Sequence, residues 1–346
     1  MMLARTRAVT AQLAGARTFS SSASVRSVES LKAQHADDVV VTYLKRTALT
    51  KAKKGAWKDT SSDALLYKAL RATVENAGVK PELVEDIIVG TCHPPSPCYE
   101  ARAASLAAGF PETTGAQALN RLCGSGLMAI RQVSDSVYRG DIDIGLAVGY
   151  ESMSAHARPT PVFHEKNVLE HAAAADCAKP MGWTSEMLAV DFEVARAKQD
   201  EYGLLSHNRA EKAQKDGVFA REIMKLETEV KDKETGNVST VTVEKDDGIR
   251  YGTTLEAMKK ARSAFPDWGD SRSTGANSSQ VTDGAAVALM MRRSKAAELG
   301  LTPVAKHVGT SVLGVSPRVM GIAPAFVIPC VPLSPCGLRR ELTSAA

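Results

Sequence analysis

Apolar and polar positions along the chain follow two periods in turn. A β-branched run at residues 38–42 reads as a strand and is followed by a polar loop over 46–58. Thr60-Ser61-Ser62-Asp63 then caps a helix running to about residue 77, with Leu65, Leu66, Ala69 and Leu70 on one face and Gly78 at its end. Pro81 opens a short turn, 86–90 is a strand, 99–108 is an alanine-rich helix, and 116–120 is a further strand. The next helix spans about 125–138, with Leu127, Ile130, Val133 and Val137 at helical spacing, and strand 143–149 follows it. Strand and helix alternate, which predicts an α/β fold with a mostly parallel sheet covered on both faces. From about 156 the texture changes to charged, helical segments and a β-rich piece at 226–230 and 238–243. The sheet pattern resumes at 284–291, followed by a helix at 294–300 and a strand at 305–312. The stretch between reads as a domain inserted into the sheet's first half.

Composition narrows the class. The chain has 346 residues, 44% apolar and 24% charged, which is ordinary for a globular protein with room for two domains or one carrying a large insertion. Its net charge is only +4, and Arg5, Arg7, Arg17 and Arg26 in the first 30 residues account for that excess. Nucleic acid is therefore not indicated as a partner. No apolar run reaches membrane-spanning length. The six cysteines, Cys92, Cys98, Cys123, Cys177, Cys330 and Cys336, form no CxxC pair, so neither a metal site nor a disulfide framework is expected. Residues 1–30 are rich in Arg, Ser, Ala and Thr, the composition of a mitochondrial transit peptide, and Arg17-Thr18-Phe19-Ser20 resembles a processing site. The expected compartment is the mitochondrial matrix. The peroxisome is the alternative: Arg5 through Leu13 comes near an N-terminal peroxisomal signal, with Thr6 where a branched aliphatic belongs. The last residues, Ser344-Ala345-Ala346, are not the Ser-Lys-Leu tripeptide.

One cysteine stands out. Cys123 lies between an apolar strand and Gly124-Ser125-Gly126, at the expected start of a helix. Glycines there permit a sharp turn and close backbone approach. Unpaired N–H groups and the positive end of the helix dipole would favour the thiolate, the nucleophilic form. A lone cysteine is also a common small core residue, and the pattern of this segment alone leaves both readings open.

Further segments carry a resemblance. Asn120-Arg121-Leu122-Cys123-Gly124-Ser125-Gly126, Gly149-Tyr150-Glu151-Ser152-Met153-Ser154, Met181-Gly182-Trp183-Thr184-Ser185-Glu186, Ile249-Arg250, residues 260–265, residues 275–284 and Val319-Met320-Gly321 occur in the order found in thiolases. Over about residues 38–329 the chain resembles that family, and within it the 3-ketoacyl-CoA thiolases. The resemblance implies a thiolase-like layered α/β/α fold with an inserted loop domain. The implied division is a leader at 1–30, the first half at 37–155, a coenzyme-A-binding loop domain at 156–274, a return to the first half at 275–300, and the start of a second half at 301–329. It implies cleavage of 3-ketoacyl-CoA by coenzyme A in fatty-acid β-oxidation, with Cys123 attacking the keto carbon to form an acyl-enzyme. By position, Arg250 would meet the coenzyme's phosphates, Ser279 would bond the pantetheine arm, and Met181, Phe265 and Met320 would line the acyl and pantetheine tunnel. Acyl-CoA and coenzyme A would be the substrates, with no separate cofactor, and a homodimer the expected assembly. A surface role for Arg250, a turn role for Ser279 and plain core packing for Met181, Phe265 and Met320 are the competing readings.

The sequence departs from the family after residue 329. The Asn-Glu-Ala-Phe segment, the Gly-His-Pro segment and the second, glycine-flanked cysteine do not occur in it, and Pro332 and Pro335 interrupt the helix expected there. Residues 330–346 thus read as out-of-family sequence and the second half as incomplete. Little or no thiolase turnover is expected, because general acid–base partners are worth orders of magnitude in rate. A non-catalytic, coenzyme-A-binding or dimer-partner role is the alternative, and condensation of the ketosynthase kind ranks below both.

Overall fold

The computed structural model describes residues 31–331. Its centre is a seven-stranded mixed sheet. The strands are β1 (Val39–Arg46), β2 (Thr50–Lys51), β3 (Asp86–Gly90), β4 (Gly115–Leu119), β5 (Ile144–Ser152), β8 (Thr282–Arg292) and β9 (Ala305–Lys306), while β6 (Leu226–Lys231) and β7 (Val238–Val243) form a separate antiparallel hairpin. The order across the main sheet is β4-β3-β5-β8-β1-β9, with β2 also on β8.

Only β4, β3 and β5 run parallel, and β8 lies antiparallel between β5 and β1. The mostly parallel sheet expected from the sequence is thus corrected to a mixed one. The βαβ crossovers that force parallel pairing stop at β5. The chain then leaves the sheet for well over a hundred residues and re-enters at the end it left, with Asp283 beside Ser152, so β8 runs back antiparallel to β5. A strand buried on both faces reads as one apolar run in either direction.

Both faces are covered. Helices α1 (Ser62–Asn76) and α2 (Pro97–Ala108) pack on one side, and α3 (Ser125–Arg139) on the other. Alternate strand residues divide between the two layers as the two-residue period requires. Ile87, Val89, Leu146, Val148, Val287 and Leu289 join Leu65, Leu66, Ala69 and Leu70 of α1 and Ala101, Ala104 and Ala108 of α2. Ile88, Ala147, Ala288 and Met290 join Ala129, Val133 and Val137 of α3. This is the layered α/β/α arrangement that the sequence implied. The anticipated face of α1 is fully buried. α3 is buried on one side only: Leu127 and Tyr138 on its outer side are 54% and 69% exposed.

The excursion from 156 to 274 holds two five-residue helices (Lys166–Glu170 and Ala172–Asp176), then α4 (Met181–Asp191), α5 (Arg196–Lys215), the β6–β7 hairpin and a helical turn at Leu255–Lys260. The hairpin sits against the first core layer through Val243, and the segment leading into it through Ile223 and Met224. Thr228 also shares a buried hydrogen bond with Thr60 (Oγ1–Oγ1 2.7 Å). The strand expected at 305–312 is only two residues long, pairing Lys306 and Ala305 with Val40 and Val41. Just beyond, between Val41 and Tyr43, β1 shifts register against β8, an irregularity of the kind that adds local twist to a strand. From there Ser134 of α3 and His307 share a hydrogen bond of 2.6 Å. Burial holds the His307 imidazole below its usual range. The turn Pro317–Ile322 then packs along α4. No helix among the described residues is long and apolar enough to cross a membrane. The leader at 1–30 and most of the tail at 330–346, Cys336 included, lie outside the described residues.

Candidate active site

Cys123 occupies the loop that joins β4 to α3, one residue before the helix N-cap, Gly124. It is exposed rather than packed in the core, so the small-core-residue reading does not hold. A set of local hydrogen bonds shapes the loop. Asn120 Oδ1 accepts from the Leu122 N–H (2.8 Å), Ser125 Oγ accepts from the Arg121 N–H (2.8 Å), and Ser125 Oγ–H donates to the Leu122 carbonyl (2.6 Å). Leu122 is held in the left-handed region (φ 50°). A side chain there costs roughly 1–2 kcal/mol, so the surrounding bonds must impose it.

Glycines let two strand ends approach the start of α3. A Cβ at Gly90, the last residue of β3, would stand 2.4 Å from the Ser125 carbonyl carbon. A Cβ at Gly149 of β5 would stand 3.3 Å from the Gly126 Cα. Gly126 was legible as a close-approach residue. Gly90 closes an apolar run with no further signal, and Gly149 is marked in the sequence only as the first residue of the segment 149–154.

Beyond β3 the chain turns through Thr91-Cys92-His93 onto the carboxylate of Glu151, near the end of β5. Glu151 Oε2 accepts from the Cys92 N–H (2.8 Å) and Oε1 from the His93 N–H (3.3 Å). The His93 ring packs on the same side, with Nδ1 3.6 Å from Glu151 Oε1 and 3.0 Å from Met153 Sδ. The Asn120 amide reaches across and donates to the Cys92 carbonyl (2.9 Å). Burial, with the Glu151 carboxylate and the Cys123 thiol beside it, pushes the Cys92 thiol up to about 11. Cys92 is therefore a neutral neighbour of Cys123 near pH 7. No local pattern announces this proximity, because the two cysteines lie 31 positions apart.

The other sequence-derived candidates fall into two groups. Met181 is the first residue of α4 and 42% exposed. The Phe265 ring lies over the next residue, where a Cβ on Gly182 would come within 2.3 Å of it, and stacks on Trp268 (centroids 5.1 Å apart). Met320 sits half-buried in the turn that runs along α4, where neighbouring Gly321 faces Leu188. These three therefore gather around α4. The second group is Arg250 and Ser279, both exposed. The Arg250 guanidinium donates to the Gly275 carbonyl (2.6 Å), which brings it to the segment that carries Ser279. Ser279 Oγ–H donates only to the neighbouring Gln280 carbonyl (3.0 Å). Buried acids fix that segment: Glu186 accepts from the Arg272 and Ser273 N–H groups (2.9 and 2.7 Å), and Asp200 accepts from Asn277 Nδ2 (3.0 Å). No hydrogen bond among the described residues joins either group to the Cys123 loop.

A family model described as the thiolase N-terminal domain matches residues 39–294, a span that includes Cys123, Glu151, Arg250 and Ser279. The chain belongs to the thiolase family. Among the relatives of this thiolase, peroxisomal 3-ketoacyl-CoA thiolase B of Rattus norvegicus is 43% identical over 295 residues, covering 85% of this chain and 69% of the relative. The peroxisomal 3-ketoacyl-CoA thiolase of Homo sapiens is 41% identical over 304 residues, covering 88% and 71%. The fold agrees. The dimeric peroxisomal thiolase of Saccharomyces cerevisiae superposes with a TM-score of 0.75 at 34% identity, covering 87% of this chain and 76% of that one. An acetyl-CoA acetyltransferase of Bacillus anthracis gives 0.73 at 32% identity, covering 85% and 75%. The peroxisomal designation of these relatives does not support the mitochondrial compartment read from the leader's composition, and it favours the alternative.

Proposed function

We propose that this thiolase is an acyltransferase of fatty-acid β-oxidation that cleaves 3-ketoacyl-CoA with coenzyme A, giving acetyl-CoA and a shortened acyl-CoA. The observation that carries the reading is the placement of Cys123: an exposed thiol on a loop forced into shape, at the mouth of α3, within the span shared with 3-ketoacyl-CoA thiolases. The Cys123 sulfur attacks the keto carbon, and the bond between that carbon and the acetyl-CoA unit breaks. The proton that the Cys123 thiol gives up passes to the acetyl-CoA carbanion, and the shortened acyl group stays on sulfur as a thioester. The thiol of a second coenzyme A attacks the thioester, releases the acyl-CoA and returns Cys123. Splitting the reaction at a covalent intermediate replaces one hard step by two easier ones.

Coenzyme A is a substrate in this scheme, and no further cofactor is assigned. Arg250 binds the coenzyme's phosphates and Ser279 its pantetheine arm. Exposure of both side chains and the buried anchoring of the Ser279 segment support those roles. Met181, Phe265 and Met320, gathered around α4, line the acyl path. A homodimer in the peroxisome is the expected setting, supported by the dimeric yeast neighbour and the names of the relatives.

The test is acylation. Purified protein is incubated with acetyl-CoA, digested and read by mass spectrometry. Acetyl on the Cys123 peptide, absent in Cys123→Ser, is the expected result. Label on another cysteine, or on none, defeats the proposal. Loss of acetoacetyl-CoA in the presence of coenzyme A, followed in the same preparation, tests the weak turnover expected from the sequence.

A further inference from the structure

The Cys92 peptide is gripped from both sides. Its N–H donates to Glu151 Oε2 (2.8 Å), and its carbonyl accepts from Asn120 Nδ2 (2.9 Å). The far end of the same Asn120 amide, Oδ1, accepts from the Leu122 N–H (2.8 Å). A continuous line thus runs from the carboxylate on β5, through a main-chain peptide after β3, to the residue before the nucleophile. It ends at Leu122, the one residue of the loop in a left-handed conformation (φ 50°). Non-glycine residues keep such a conformation only where neighbours impose it. Ser125 fixes the loop from the helix side, through the Arg121 N–H and the Leu122 carbonyl, but nothing on that side holds the Leu122 N–H.

We infer that Asn120 and Glu151 are positioning residues for the thiolase reaction, acting in series through the Cys92 main chain to hold Cys123 where it attacks. The inference rests on the acyl-enzyme reading above. Each side chain suits its place. Glu151 meets two successive N–H groups, of Cys92 and His93, with its two oxygens; a neutral amide has a single acceptor oxygen and would turn an NH2 donor toward one of those N–H groups. Asn120 must donate at one end and accept at the other, which an amide does and an ionised carboxylate does not. Neither side chain is placed on the substrate. Their effect is on where the sulfur stands, and misplacement of a reacting group by about 1 Å can cost roughly a hundredfold in rate.

The test uses the full chain and four variants: Asn120→Ala, Asn120→Asp, Glu151→Gln, and Asn120→Ala with Glu151→Gln. Single-turnover acetylation of Cys123 is measured against acetyl-CoA concentration, alongside thermal melting. The inference expects the saturating rate to fall about tenfold or more in Asn120→Ala and Glu151→Gln while the half-saturating concentration stays within about twofold. Asn120→Asp keeps the acceptor for Leu122 and falls between. Residues in one chain of contacts are non-additive, so the double variant is expected within about twofold of the slower single variant. Losses that multiply in the double variant, or rates within about twofold of the parent in either single one, overturn the inference. Hydrogen exchange at the Leu122 amide gives a readout that needs no acylation. Both single variants are expected to speed it selectively, at an unchanged melting temperature. If the parent protein fails to acetylate at Cys123, the acyl-enzyme reading falls, and exchange alone decides whether the series exists. Unchanged Leu122 exchange in Glu151→Gln sinks it.

Discussion

Gly90 and Ser125 meet backbone to backbone: a Cβ on residue 90 would stand 2.4 Å from the Ser125 carbonyl carbon and equally close to its oxygen. Main-chain atoms at a helix start cannot swing aside as a side-chain tip can. Gly90→Ala must therefore move the end of β3 or the first turn of α3. Overpacking of this kind costs about 1–3 kcal/mol. The expected outcome is a lower urea midpoint with a larger, disproportionate loss of Cys123 acetylation, because the displaced turn carries the nucleophile. Retention of full acetylation in the folded variant would show that the close approach is incidental to the site.

Cys92 predicts a pH dependence of its own. Its thiol is raised from an ordinary 9.0 to about 11, by burial first and by the Glu151 carboxylate second. The folded protein therefore keeps this proton after the unfolded chain has lost it. Between about pH 9 and 11 the folded state binds more protons, so this group's contribution to stability falls as pH rises and is complete below that window. In peptide-resolved labelling with iodoacetamide, Cys92 of the folded protein is expected to react only as pH approaches 11, whereas in urea it reacts from about pH 9. Equal labelling of Cys92 in both states at pH 9 would contradict the environment described here.

Much of the scaffold was legible because it depends on local periodicity. Leu65, Leu66, Ala69 and Leu70 repeat at helical spacing, and all four are fully buried. Gly124-Ser125-Gly126 announced a tight helix entry, and α3 begins at Ser125. Strand direction was not legible. The run Val287 to Met291 is apolar throughout because both of its faces are covered, and such a run carries no sign of whether its neighbour is parallel. The grip on the nucleophile loop was hidden for a different reason. Asn120, Cys92 and Glu151 are brought together by the sheet order, across sequence separations that no local pattern spans. Met181, Phe265 and Met320 were placed by resemblance alone, and their common neighbour, α4, emerges only from the packing.

Arg46, at the end of β1, ties the excursion to the sheet. Its guanidinium makes a two-bond pair with Asp246 (2.8 and 2.9 Å), a third bond to Glu222 (2.9 Å), and lies over the Phe219 ring (5.5 Å). The Arg46 and Asp246 side chains are 18% and 15% exposed, so removing the cation leaves a largely desolvated carboxylate unpaired. Arg46→Met is expected to cost about 3 kcal/mol by urea unfolding, and Arg46→Lys somewhat less, because an ammonium cannot reproduce the fork. Limited proteolysis is expected to cut first within 216–247. Unfolding midpoints within experimental error of the parent would show that the excursion is held to the sheet without help from this cation.

Gly182 offers a separable test of the acyl path. The Phe265 ring lies so close over it that a Cβ there would fall within 2.3 Å of the ring, which also stacks on Trp268. Gly182→Ala therefore displaces Phe265 without touching the Cys123 loop. If Phe265 lines the path, the half-saturating concentration for acylation should rise several-fold with long-chain acyl-CoA and change little with acetyl-CoA, at a nearly constant saturating rate. Loss of substrate binding with an unchanged chemical step is the signature of contacts made equally in ground and transition states. Arg250→Ala supplies the contrast, because a phosphate contact is shared by every acyl-CoA. Its half-saturating concentration should rise by a similar factor for short and long chains. Identical chain-length profiles for the two variants would remove Phe265 from the acyl path.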